Sequence, residues 1–192
     1  MNVTKEKAAE NRENLLIEAA RLFRERGISG IGVDALAQAA NMTHGSLYSH
    51  FGSKDKVLAE SLTHGFDKII ARRATLDNIS EVIDLYISSA HRDNPGAGCF
   101  IPTLGSEIPR QSTEVRARFT EIVKRSMDLL GSMLPGKRKR QREDEALPIF
   151  ATMIGTIILS RAVDDEKLSD RILSVNREYL LQQQESQSRQ SI

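Results

Sequence analysis

The sequence predicts an all-α fold, on three observations. Apolar residues recur at helical spacing in about nine segments, period-two alternation is absent, and aromatic residues make up only 5% of the 192 residues, while Ala, Leu, Glu, Lys and Arg are plentiful. An apolar share of 40% against 28% charged residues supplies a core and argues against a disordered chain. The length suits one or two compact domains. A single cysteine cannot close an intramolecular disulfide. No secretory leader pattern opens the chain. The longest charge-free apolar window, Ala146 to Ser160, has 15 residues, short of the ~20 a membrane span needs. These features predict a cytoplasmic protein with no membrane partner. The net charge of +1 announces no polyanion, so any nucleic-acid binding must be visible locally.

Residues 12–26 carry Leu15, Leu16, Ala19, Leu22 and Phe23 on one stripe, with Arg21, Arg24 and Glu25 opposite. Gly27 supplies a left-handed cap, and Ile28 can then touch Phe23. A short helix follows over 33–40 and ends at Asn41, the residue other than Gly that best tolerates a left-handed turn. Thr43 can cap a third helix from His44 to His50, stopped by Gly52. Ser53 can cap a fourth helix running to about Ala74, which must carry Gly65 at a cost of ~1 kcal/mol relative to Ala. A fifth helix is expected over 79–90, a short apolar one over 99–107, and a long amphipathic one over 113–134 ended by Pro135 and Gly136. Lys137 to Arg140 reads as a solvated loop at that helix's C-terminus. Pro148 fits only a first turn, so the next helix is expected over 145–163, starting no earlier than about Asp144. The last helix is expected over about 168–182, and the polar residues 183–192 read as a frayed tail.

Three short helices with a tight turn between the second and third form a helix-turn-helix geometry, whose third helix can lie in a major groove. From Ala35 to Lys54 there is no Asp or Glu, although 26 acids in 192 residues would put about two or three there. The outward positions carry hydrogen-bonding groups instead: Thr43, His44, Ser46, Tyr48, Ser49, His50 and then Lys54. Hydroxyls, imidazoles, an ammonium and helix-end amides can contact phosphates that carboxylates would repel.

Residues 33–58, V-D-A-L-A-Q-A-A-N-M-T-H-G-S-L-Y-S-H-F-G-S-K-D-K-V-L, resemble the DNA-binding signature of the TetR family of bacterial transcriptional regulators. The specific part is G-S-L-Y-S-H-F-G-S-K-D-K-V-L from Gly45 to Leu58. The resemblance is strong over about residues 12–58, roughly a quarter of the chain. It implies that Tyr48 and Lys54 grip phosphates and that Thr43, His44 and Ser46 lie near bases or phosphates. Gly45 would let the backbone approach DNA. Ser49 and His50 complete the edge, although His50 fits the polar rim of a packed helix as well. Leu36, Ala37, Met42, Leu47 and Phe51 are core. Gly32 stands where the family often has a capping Thr, and Asn41 replaces a turn Gly.

The resemblance further implies two domains: residues 1–53 for DNA binding, and 54–182 for ligand binding and dimerisation. A regulator of this kind would be a repressor that binds a palindromic operator as a homodimer and is released by a small-molecule inducer, with no cofactor or metal. An inducer pocket would draw on Tyr86, Ile87, Cys99, Phe100, Leu104, Phe119, Ile122, Met127, Phe150 and Met153, each of which also suits plain core. Ile154, Gly155, Ile158 and Leu173 are candidates for a dimer face on the last two helices, and simple burial would explain the same pattern. Cys99 raises a thiol-sensor reading, against which buried cysteines are commonly inert.

Two other classes compete. Catalysis lacks support: the four His residues form no H-E-x-x-H or clustered metal set, and there is no G-x-S-x-G or phosphate-cradling Gly loop. A helical adaptor that binds ligand or protein without DNA would not call for the acid-free window.

Overall fold

The computed structural model describes residues 5–73, 75–134 and 138–190. Ala74, Pro135, Gly136, Lys137 and the last two tail residues, to which the sequence gives helix ends, a basic loop and a frayed terminus, lie outside the described residues. Ten α-helices are present: α1 Lys5–Arg26, α2 Val33–Ala39, α3 His44–Phe51, α4 Lys54–Arg73, α5 Ile79–Tyr86, α6 Ser89–Asp93, α7 Phe100–Leu104, α8 Thr113–Ser132, α9 Lys139–Ala162 and α10 Glu166–Gln190. Short 3-10 turns span Pro95–Ala97 and Ile108–Arg110. No strand occurs among the described residues, so the all-α class holds. The helices form two compact units, Met1–Ile69 with Gly96–Ile122, and Ile70–Pro95 with Val123–Ile192.

In the first unit α1 packs against α2 and α7, and α2 against α3. The apolar stripe of α1 is fully buried, from Leu15 and Ala19 to Phe23. Gly27 ends the helix at φ +74°, its amide donating to the Phe23 carbonyl at 2.9 Å. Asn41 ends α2 at φ +54°. The Met42 amide returns to the Ala37 carbonyl at 2.8 Å and the Asn41 amide to Gln38 at 3.0 Å, the paired bonds of a Schellman cap. Gly65, a costly residue inside α4, has a packing reason: a Cβ there would come within 2.8 Å of the Phe100 ring.

Arg24 departs from the sequence expectation. It is only 8% exposed rather than solvated opposite the stripe. Its Nε donates to the Gly96 carbonyl at 2.7 Å, and its guanidinium lies 4.3 Å over the Phe100 ring. Burial lowers its pKa to about 10. The first unit's chain returns at residues 96–100 to cover this face, a contact that helical periodicity cannot encode.

The turn after α1 is held by Glu107. Its carboxylate accepts from the Ile28 amide at 2.9 Å, the Ser29 amide at 2.9 Å and the Ser29 hydroxyl at 2.8 Å. Burial disfavours the ionised form, but these donors outweigh it and keep the Glu107 carboxyl below its usual range.

In the second unit α10 packs along α9 and α5, and α6 against α9. Four helix limits differ from the sequence expectation. The helix expected over 79–90 breaks after Tyr86, because the Ser88 hydroxyl accepts the His91 amide at 3.2 Å and starts α6 anew. At its other end, the Asn78 side chain caps α5 through the Glu81 amide at 3.0 Å. α8 stops at Ser132. α9 begins at Lys139 and includes Pro148, so Arg138 alone of the described basic run lies outside helix. Pro148 is exposed, so water can reach the carbonyl its missing amide would have served. The Lys139 charge, unfavourable in a first turn, lies near Asp128 at 3.5 Å and Glu143 at 3.6 Å. α10 continues to Gln190, because residues 183–190 contain no Gly or Pro to stop it and are rich in helix-compatible Gln.

His91 ties the short α6 into this unit. Its Nδ1 donates to the Tyr86 carbonyl at 2.8 Å, and its ring meets that of Tyr86 edge-on at 4.5 Å. Arg161 of α9 donates to the carbonyls of His91 at 2.6 Å and Arg92 at 2.9 Å. Burial lowers the His91 pKa to about 4; Arg161 and Arg73 push the same way, against the bond to Tyr86. Unfolded His91 takes up its proton near pH 6.5, so the unfolded state gains first as pH falls. Chemical denaturation is expected to show about 2 kcal/mol lost from this group between pH 7 and pH 5. His91→Gln should flatten that part of the stability curve.

Candidate nucleic-acid interface

α3 is two-sided. Leu47 and Phe51 are buried at 0% and 3% exposure, while Thr43, His44, Gly45, Tyr48 and Ser49 are exposed and Ser46 and His50 are half-buried. Arg12 lies 4.8 Å over the Phe51 ring and pairs with Glu60, bracing the buried edge from α1 and α4. Leu36 and Ala37 are buried beside it, and Met42 is half-buried.

The start of α3 is well defined. The Thr43 hydroxyl accepts from the Ser46 amide at 3.2 Å, satisfying one of the four amides that a first helical turn leaves without an intrahelical partner. α2 has no such aid: Gly32 caps it without a side-chain bond, and Asp34 in its first turn complements the dipole instead. The Gly32 cap therefore supplies no hydroxyl for DNA.

His44 stacks on Tyr48 one turn on, with ring centroids 4.9 Å apart. Its Nδ1 faces the Asp34 carboxylate at 2.5 Å, which leaves Nε2 as the ring atom turned to other partners. Asp34 lies one residue before the acid-free window, and no residue pattern marks it as a partner of His44. The pair is exposed and adds little to stability; its effect is to fix the imidazole. Ser49 spends its hydroxyl proton on the Ser46 carbonyl at 2.8 Å and retains lone pairs as an acceptor. Lys54, at the start of α4, is less free than the sequence implies. Its ammonium donates to the Ile28 carbonyl at 2.6 Å, leaving two of its three protons for another acceptor. Gly45 has open space around it: an added Cβ meets nothing within 4 Å.

The candidate inducer residues fall in both units. In the first, Cys99, Phe100, Leu104 and Ile122 are buried and Phe119 is half-buried. In the second, Tyr86, Ile87, Phe150 and Met153 are buried and Met127 is half-buried. There Phe150 and Met153 border a cavity of about 10 Å³, with Arg73, Val82, Ser126, Leu129 and Leu130, room for about one water. Of the dimer-face candidates, Ile158 is exposed, Ile154 and Gly155 are half-buried, and Leu173 is buried in the second unit's own core. Among the described residues no group of His, Cys, Asp or Glu could hold a metal ion.

A short helix locked by Leu47 and Phe51, with a capped N-terminus and an outward row of polar side chains, defines the recognition element of a helix-turn-helix DNA-binding protein. Residues 15–61 match the model of bacterial regulatory proteins of the tetR family. The chain is 26% identical to the HTH-type transcriptional repressor DhaR of Mycobacterium sp. (strain GP1), over 94% of this chain and 97% of that one. It is 41% identical over 61 residues to the HTH-type transcriptional repressor KstR2 of Mycobacterium tuberculosis, 32% of this chain and 30% of that one. A TetR transcriptional regulator from Legionella pneumophila has a similar fold, at TM-score 0.74 and 18% identity over 95% of this chain and 99% of that one. The reduced form of E. coli NemR matches at TM-score 0.72 and 19% identity over 88% and 96%. Residues 15–61 thus carry the DNA-binding region of tetR-family regulators, and over nearly its whole length the chain is similar to a transcriptional repressor, the likeness of a DNA-binding regulator rather than of an enzyme.

Gly45→Ala separates fold from function. Helix propensity favours Ala by up to ~1 kcal/mol and no neighbour objects, so thermal denaturation should show equal or higher stability. If α3 docks in the groove as its outward polar row predicts, the added methyl group would meet the duplex, and DNA binding measured by fluorescence anisotropy should weaken about tenfold, or 1.4 kcal/mol.

Proposed function

We propose that this regulator is a repressor that binds a palindromic operator as a homodimer and leaves it when a small-molecule inducer binds. The observation that carries the reading is the outward polar edge of α3, anchored from behind by Leu47 and Phe51. Residues 1–53 act as the reading head, with His44 and Ser46 facing bases and Thr43, Tyr48, Ser49, His50 and Lys54 facing phosphates or the groove rim. Repression is supported by the names of the DhaR and KstR2 relatives.

Dimerisation is supported by apolar surface that one chain leaves in water. Ile158 and Leu159 on α9, and Leu168, Val175 and Tyr179 on α10, are all more than 40% exposed. Gly155 meets nothing within 4 Å of an added Cβ, which suits close approach by a second backbone. α9 is long and apolar enough to cross a membrane by length and composition, and only 39% of its most apolar window is buried. Covering that face with a second copy removes it from water at ~25 cal/mol per Å², and a two-fold arrangement makes the patch its own complement. On this reading α9 is a dimer helix of a cytoplasmic protein. Heads ~34–36 Å apart would meet successive turns of duplex DNA.

An inducer in the region 54–182 acts by preferring one arrangement of the heads, thereby shifting the population away from the DNA-competent state. The small cavity beside Phe150 and Met153 requires side chains to yield before anything larger than water enters.

Light scattering with binding to a palindromic duplex, selected by the wild-type chain from a random pool, tests the assembly. Leu159→Glu with Val175→Glu should turn dimer into monomer while circular dichroism keeps its helical signal. Affinity for the palindrome should fall about a hundredfold or more, as bivalency is lost. A monomeric wild-type chain, or a double variant with unchanged mass and affinity, refutes the proposal.

A further inference from the structure

We propose that Glu107, far in sequence from the reading head, is a positioning residue for DNA binding: through one peptide group it holds the Lys54 ammonium at the phosphate-facing edge. The peptide unit between Ile28 and Ser29 has both ends engaged. Its N–H, from Ser29, donates to the Glu107 carboxylate at 2.9 Å, and its C=O, from Ile28, accepts from Lys54 Nζ at 2.6 Å. A carboxylate at one end and an ammonium at the other polarise the group in the same sense, so each bond strengthens the other. Glu107 also takes the Ile28 amide at 2.9 Å and the Ser29 hydroxyl at 2.8 Å, which fixes the turn as a rigid body. Gly27 is part of the design, since a Cβ there would come within 2.5 Å of Glu107 Oε1 and its φ of +74° turns the following amides toward one acceptor. All of these residues belong to one compact unit.

Lys54 keeps two protons, enough for a phosphate, while the third tethers a side chain that would otherwise sample many rotamers. Without Glu107 the turn loses its anchor, and Lys54 loses a carbonyl held in place. The inference rests on the reading of Lys54 as a phosphate contact, and the test separates the two.

The salt dependence of binding to the selected duplex is measured for the full chain, for Lys54→Ala, for Glu107→Ala and for the double variant, each where circular dichroism shows it folded. Lys54→Ala should flatten the slope of log K against log salt by about 0.9 for each phosphate left without its cation. Glu107→Ala should reproduce at least half of that change, and the double variant should add nothing to Lys54→Ala. A residue that only stabilised the fold would lower the melting temperature and leave the slope alone. If Lys54→Ala flattens the slope and Glu107→Ala does not, or if their effects add, the positioning role is overturned. If Lys54→Ala itself leaves the slope unchanged, the phosphate reading of Lys54 falls and the inference falls with it. Should Glu107→Ala fail to fold, Glu107→Gln, which keeps one acceptor for the turn, is read against the same outcomes.

Discussion

α3 presents a fixed outer row of donors and acceptors because its inner edge is packed into the first unit. Leu47 and Phe51 are sealed into the first unit, and the Arg12 guanidinium, itself paired with Glu60, covers the Phe51 ring. Eight residues form too short a helix to persist alone in water. Its shape is therefore borrowed from α1, α2 and α4, and so is the direction in which His44, Ser46 and Tyr48 point. Weakening that packing would degrade every contact on the outer edge together, whereas changing an outer residue alters one contact. This asymmetry is why affinity and specificity can diverge in a helix-turn-helix protein without any change of fold.

How much of this was legible from residues alone depends on range. The ends of α1, α2 and α3 are written in single residues whose backbone preferences act locally: Gly27, Asn41 and Gly52 adopt positive φ, and the Thr43 and Ser53 hydroxyls take amides three residues on. The buried stripe of α1 follows from periodicity. Arg24 does not, because its burial depends on residues 96–100, more than 70 positions away. The early start of α9 was hidden by Pro148, a residue tolerated inside that helix at an exposed position. The break after Tyr86 turned on whether Ser88 would cap or continue, a choice that apolar spacing leaves undecided.

The candidate site divides along the same line. Its outer row is consecutive in the chain and was readable from residue types. Its second layer was not: Asp34 reaches His44 from the preceding helix, and the Ile28 carbonyl accepts a hydrogen bond from the Lys54 ammonium across 26 positions. Both contacts restrict side chains that the sequence treats as free, and neither changes the chemistry of the row. Residue types thus identify the polar groups of the outer row, while folding decides which of their atoms remain unspent.

The glycines sharpen the distinction between what the fold needs and what lies outside it. Gly inside a helix costs ~1 kcal/mol relative to Ala, so each instance calls for a reason. Gly65 has one within its own unit, since a Cβ would strike the Phe100 ring. Gly45 and Gly155 have none there: a Cβ at either meets nothing within 4 Å. At those two positions the chain forgoes helix stability without any gain in its own packing. Nothing among the described residues offsets that cost, so the proposal that Gly45 faces duplex DNA and Gly155 a second copy supplies the reason that intrachain packing does not.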